Sequence, residues 1–160
     1  MQFINYFFAS LISFFGLLAG IILVKIAPEE QKPLENYFIL MRKLLLLLIF
    51  IFLFFYYFNV LTSLAILIIC MIFAIFAEYK INNKLKKSMA SYAILGALFF
   101  FSAQNTNLFT IESSLLFLFG ASSASLIYNK KERNDCKIIF YNIHFIAIAG
   151  LLFFITRLRF

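Results

Sequence analysis

The chain has 160 residues, of which 64% are apolar, 13% are charged and 24 are phenylalanine, and its formal net charge is +7. This composition excludes a soluble globule, in which about 25% of residues are charged, and the charges fall in three short clusters between long apolar runs. The pattern predicts an all-α, polytopic transmembrane helical bundle of about six spans, forming a single integral membrane domain over residues 1–160.

A bilayer core about 30 Å thick needs roughly 20 apolar residues at about 1.5 Å each. The first predicted span covers residues 3–26. It is expected to stay in the mature protein: Met1 and Gln2 carry no charge, the apolar run exceeds the usual ~7–15 residues, and no Ala-x-Ala site follows. A turn containing Pro28 and Pro33 leads to the second span, 39–58, in which Arg42 and Lys43 are expected to snorkel back to the headgroups. The third span, 60–77, is divided from the second only by Asn59. Residues 44–77 as one helix would extend about 50 Å, beyond what tilt absorbs, so a hairpin is predicted at Asn59. The fourth, fifth and sixth spans are expected at 88–104, 111–128 and 138–155, with a second hairpin at 104–109. Strands are excluded by runs such as LLLLLIFIFLFF, which never alternate in polarity.

The basic residues form three groups: Lys25, Lys32, Arg42 and Lys43; Lys80, Lys84, Lys86 and Lys87; and Lys130, Lys131, Arg133 and Lys137. The two hairpins place all three on one face, which the positive-inside rule assigns to the cytoplasm of a cell-membrane protein, with the N-terminus outside. Arg157 and Arg159 are the exception, falling on the outer side. The basic rim is expected to attract anionic lipid headgroups, and the same bias accounts for the charge without nucleic acid.

Three kinds of site arise. Gly16 and Gly20 form a G-x-x-x-G in the first span, and Gly120 with Ala124 and Ala121 with Ser125 repeat the small-residue spacing in the fifth. Such faces let helix backbones approach, within one chain or between copies in a homo-oligomer or with another membrane protein. Glu112, Asn142 and His144 are polar groups inside spans. Glu112 follows Thr110 at the expected start of the fifth helix, where Thr110 can cap and a carboxylate favours the positive dipole end. His144 is expected to bond to a neighbouring helix, with Asn142 as a second interhelical donor. The third kind is the acidic turn with Glu29, Glu30 and Glu35. Glu29 and Glu30 invite comparison with the E-E-x-x-x-R motif of CAAX-type intramembrane proteases, but Leu34 stands where the arginine belongs and the chain has a single histidine. No G-x-S-x-G, H-E-x-x-H or phosphate loop is present, Cys70 and Cys136 lie at different depths, and metal-ligand spacing is absent. Neither an enzyme nor a metal or cofactor site is expected.

The first span, the segment Ile26-Ala-Pro-Glu-Glu-Gln-Lys-Pro-Leu-Glu-Asn-Tyr-Phe38 and the Leu-rich span after it resemble short multi-span membrane proteins of archaea over residues 20–48. The resemblance implies no activity, and it departs from that pattern at Leu34 and Glu35, where Gly and Lys are usual. AILGALFF at 93–100 also resembles AIAGLLFF at 147–154. Parallel repeats occur in transporters, although chains rich in Leu, Ile and Phe match themselves often. The function expected is a structural or interaction subunit of a membrane assembly, with a carrier of small solutes or lipids as the alternative.

Overall fold

A computed structural model describes residues 3–128 and 135–158, with side chains through residue 155. Every element among them is a helix: α1 Phe3–Ile26, α2 Glu35–Tyr57, α3 Leu61–Lys80, α4 Lys84–Ser102, α5 Thr106–Ile127, α6 Asp135–Asn142 and α7 His144–Leu158. Five segments are long and apolar enough to cross a membrane: α1, α2, α3, α5, and α6 with α7 taken together over Asp135–Ile155. The remaining helix, α4, has 19 residues and carries Lys84, Lys86 and Lys87 at its start, which lowers its apolar content. Lys130, Lys131, Arg133 and Arg159, and the Arg157 side chain, lie outside the described residues.

The helices outrun the apolar runs because hydrophobicity marks lipid contact, whereas helices continue until a cap or turn stops them. Asn105 caps α5, its Oδ1 accepting from the Asn107 and Leu108 amides at 2.9 and 3.1 Å. The helix therefore starts five residues before the expected 111. Asn83 caps α4 in the same way, through the amides of Leu85 and Lys86. The hairpin expected at Asn59 is present: α2 ends at Tyr57, and the Val60 amide donates to the Tyr57 carbonyl at 2.9 Å. The hairpin expected at 104–109 is tighter, occupying 103–105. The sixth predicted span is broken at Ile143, whose carbonyl accepts from both Ile146 and Ala147.

Ion pairs and hydrogen bonds gather the charged connections at one end. Lys25 Nζ meets Asp135 Oδ2 at 2.8 Å and Lys84 Nζ meets Glu35 Oε1 at 2.6 Å. Gln31 Nε2 donates at 2.8 Å to the Ser125 and Tyr128 carbonyls, satisfying acceptors at the C-terminus of α5. At the other end the two turns are uncharged, and Tyr57 Oη donates to the Phe101 carbonyl at 2.7 Å.

Within the bundle α5 is central, packed by α1, α2 and α4, while α7 lies on α4 and α1. Tyr6, Tyr92, Phe99, Phe119 and Phe145 are fully buried. Their rings meet at 5.2–6.0 Å in tilted or edge-on pairs, such as Tyr6 with Phe99 and Tyr92 with Phe119, geometry that suits the aromatic quadrupole. By contrast α3 buries only Leu67, Ala74 and Ala77. Its Ile68, Ile69, Ile72, Phe73 and Phe76 point out of the bundle, as on a helix bathed in hydrocarbon.

The resembling segments 93–100 and 147–154 lie on α4 and α7, which pack together. Their equivalent glycines differ in use. A Cβ at Gly96 would sit 3.0 Å from the Phe145 carbonyl oxygen, whereas one at Gly150 would meet nothing within 4 Å.

Candidate functional site

The six small residues singled out in the sequence form one seam between α1 and α5. A Cβ at Gly16 would fall on the Phe117 carbonyl, and one at Gly20 on the Ala121 carbonyl with Ala124 Cβ at 2.8 Å. A Cβ at Gly120 would lie 2.9 Å from the backbone of Gly16 and Leu17 and from Tyr92 Oη. The two helices run parallel and in register. Hydroxyls extend the seam: Ser13 Oγ donates to the Ser113 carbonyl at 3.2 Å, and Ser125 Oγ contacts the Gly20 carbonyl at 3.4 Å. Close backbone approach thus replaces hydrophobic driving force where lipid is the solvent, and these faces are spent inside one chain.

The three buried polar candidates separate. Asn142 is fully buried and joins two helices, but as an acceptor: Ser88 Oγ donates to its Oδ1 at 2.9 Å, while its own Nδ2 donates to the Ile138 carbonyl. His144 is corrected. It is exposed on the outside of the bundle, and its Nδ1 lies 3.0 Å from the Tyr141 carbonyl of its own segment. The buried positions Ile138, Asn142, Phe145 and Ala149 keep helical spacing through Ile143, and His144, two residues from Asn142, falls on the opposite face. For Glu112 only the expected cap is corrected: Asn105 and not Thr110 caps α5, and Thr110 Oγ1 donates instead to the Thr106 carbonyl. Glu112 is the seventh residue of α5, about 9 Å past its start; it is 1% exposed, and its Oε1 has no hydrogen-bond partner.

A further constellation was missed in the sequence. Arg42 does not snorkel; its guanidinium turns into the bundle, where Nη2 meets Glu78 Oε2 at 2.7 Å, with the two side chains 5% and 11% exposed. Lys87 Nζ approaches Glu78 Oε1 at 3.8 Å. Ser91 Oγ lies 3.4 Å from Arg42 Nη2, and the Phe119 ring centroid is 5.7 Å from the guanidinium carbon. The cluster draws one charge from each of α2, α3 and α4. Arg42 sits two turns into α2 and Lys87 one turn into α4, so each reaches inward towards a Glu78 that points back from the end of α3. Spacing along the chain could have suggested it: Arg42 and Glu78 are 17 and 19 residues from Asn59, so a hairpin there brings them to one depth.

A polar cavity of about 210 Å³ opens beside the cluster, lined by Arg42, Lys43, Lys84, Lys87 and Glu78 together with Tyr79 and Asn82. Four cations thus face one carboxylate, and Glu35, paired with Lys84, adds a second acid from outside the lining. Arg42 Nε is buried with no hydrogen-bond partner. Lys43 is exposed, resting over the Tyr79 ring at 5.8 Å. This arrangement can attract and hold an anion by charge and N–H donation. Among the described residues, no group of three or more His, Cys, Asp and Glu side chains could hold a metal ion, and Cys70 and Cys136 are free thiols. No protein-family model, curated protein or solved structure matches the chain.

Proposed function

We propose that this is a multi-pass membrane protein, oriented with its basic end in the cytoplasm, that binds anionic lipid headgroups at the Arg42–Lys43–Lys84–Lys87 cavity. The observation that carries the reading is the convergence of four cations from two helices, α2 and α4, on a cavity to which α3 adds one carboxylate. Each interfacial cation near an anionic leaflet contributes roughly 1 kcal/mol, and Arg42 adds an unmet buried donor. The site binds without reacting: it offers donors and charge, and no nucleophile with a base to activate it. A structural subunit anchored by lipid and a lipid carrier share this site and differ in whether the bound lipid moves. The α1–α5 seam does not favour self-association, because its small residues already face each other. The exposed flank of α3 suits lipid as well as a protein partner.

The test is thermal unfolding of the full chain in mild detergent supplemented with phosphatidylglycerol or phosphatidylcholine. Phosphatidylglycerol is expected to raise the midpoint by mass action, with the gain shrinking in high salt and absent from a Lys43→Ala/Lys84→Ala variant. Equal midpoints in the two lipids overturn the reading.

A further inference from the structure

The polar cavity does not end at its charged residues. Lys43, Glu78 and Tyr79 are also the upper lining of a second space, a groove of about 290 Å³ between α2 and α3 whose remaining walls include Leu46, Phe50, Phe54, Met71 and Ile75. We infer that cavity and groove form one amphiphile site, seating an anionic glycerolipid with its headgroup at Lys43 and Lys84 and an acyl chain between α2 and α3. The inference rests on the anion reading above and adds the tail.

Three features select a lipid chain as the occupant. From Lys43 to Phe54 the groove follows eleven residues of helix, about 16 Å, close to half of a bilayer core about 30 Å thick. That is the depth reached by a tail in one leaflet. The groove exists because α3 contributes only three buried residues, two of them alanines, and so stands off from α2 along this stretch. Its volume suits a slender chain, whereas a helix about 10 Å across would not fit. Finally, the charged mouth lies at the end where headgroups sit. A partner helix entering there would have to strip water from the Lys43 ammonium, which a lipid phosphate satisfies instead.

Photo-labelling of the full wild-type chain in bilayer nanodiscs tests the placement, with phosphatidylglycerol carrying a mid-chain diazirine as the probe. Adducts are expected to concentrate on Phe50, Phe54 and Met71. They should fall about tenfold or more on removing both rim charges with Lys43→Ala/Lys84→Ala, and comparably with Ile75→Trp, which plugs the groove from an exposed position. A phosphatidylcholine probe of the same chain should label these positions more weakly. Adducts spread evenly over the outward faces of α1, α2 and α3 overturn the inference. Loss of labelling in the lysine variant with no loss in Ile75→Trp leaves the headgroup reading standing and removes the tail seat. Equal labelling by both probes removes the headgroup reading itself. Cross-links between copies through Phe50 or Met71 would assign the groove to a second chain and overturn the proposal. Helical content and a single monodisperse peak certify each variant, and the wild-type adduct map decides the matter even where a variant fails to fold.

Discussion

Arg42 and Glu78 illustrate at the scale of single residues why a charge in an apolar run needs a partner before it can be placed. A guanidinium near a helix start can reach water along its stem, and Lys43, its exposed neighbour, keeps that option. Arg42 faces the other way, and an unpaired buried charge there would be costly enough to reorganise the packing. Replacing Arg42 by Met is therefore expected to lower stability by about 3 kcal/mol, because Glu78 is left with only Lys87 at 3.8 Å. Glu78→Met should cost a similar amount. The double variant Arg42→Met/Glu78→Met should recover most of the loss, since two apolar chains fill the site without stranding a charge. Unfolding of all four proteins in one detergent gives the coupling energy, and strictly additive losses would show that the two side chains do not act as a pair. The misplacement of His144 and of the cap before Glu112 has a different origin. The sequence identifies their polarity, but His144 lies about 200° around the helix from the buried Asn142, and the cap of α5 is at Asn105, seven residues before Glu112. Neither departs from helical periodicity in a way that hydropathy registers.

Among the elements, α1 and α5 were the most legible pair, because small residues spaced by four leave few other uses in a span. Gly16, Gly20, Gly120, Ala121, Ala124 and Ser125 all meet across one seam, and what the spacing left open was whether the partner face belonged to the same chain. Gly16→Leu or Gly20→Leu places a branched side chain on a backbone carbonyl of α5, with no flexible side-chain end to yield. Overpacking of this severity is expected to cost about 3 kcal/mol or more. Gly150→Ala is the matched control: its added Cβ meets open space, and exchanging glycine for alanine in a helix interior is neutral or favourable by up to about 1 kcal/mol. Thermal unfolding with size analysis in detergent compares the three. Equal stability for Gly16→Leu and wild type would remove the seam, and a change in oligomeric state alone would move it between chains. The helix ends were less legible, because Asn83 and Asn105 cap inside stretches whose hydropathy is already falling. A polarity scale does not distinguish a capping asparagine from an exposed one such as Asn59.

For the molecule as a whole, the parity of the hairpins carries the topology. Turns at 58–60 and 103–105 return the chain after single passes, so the connections near Lys32, Lys80 and Lys137 must share an end, as the Lys25–Asp135 and Lys84–Glu35 pairs require. An unpaired long helix in place of α2 and α3 would have separated Arg42 from Glu78 and dismantled the cavity along with the charge asymmetry. In the proposed orientation that end faces the cytoplasm, the side that the positive-inside rule gives to clusters of lysine. Asn82 and Asn107 are both exposed and lie at opposite ends, so they report orientation directly. In a background with Cys70→Ala and Cys136→Ser, Asn107→Cys is expected to react with an impermeant maleimide in intact cells. Asn82→Cys should react only after permeabilisation. The reverse pattern would invert the protein, turning the cationic cavity towards the outer leaflet, and labelling of both sites from one side would break the hairpin parity on which the single basic end depends.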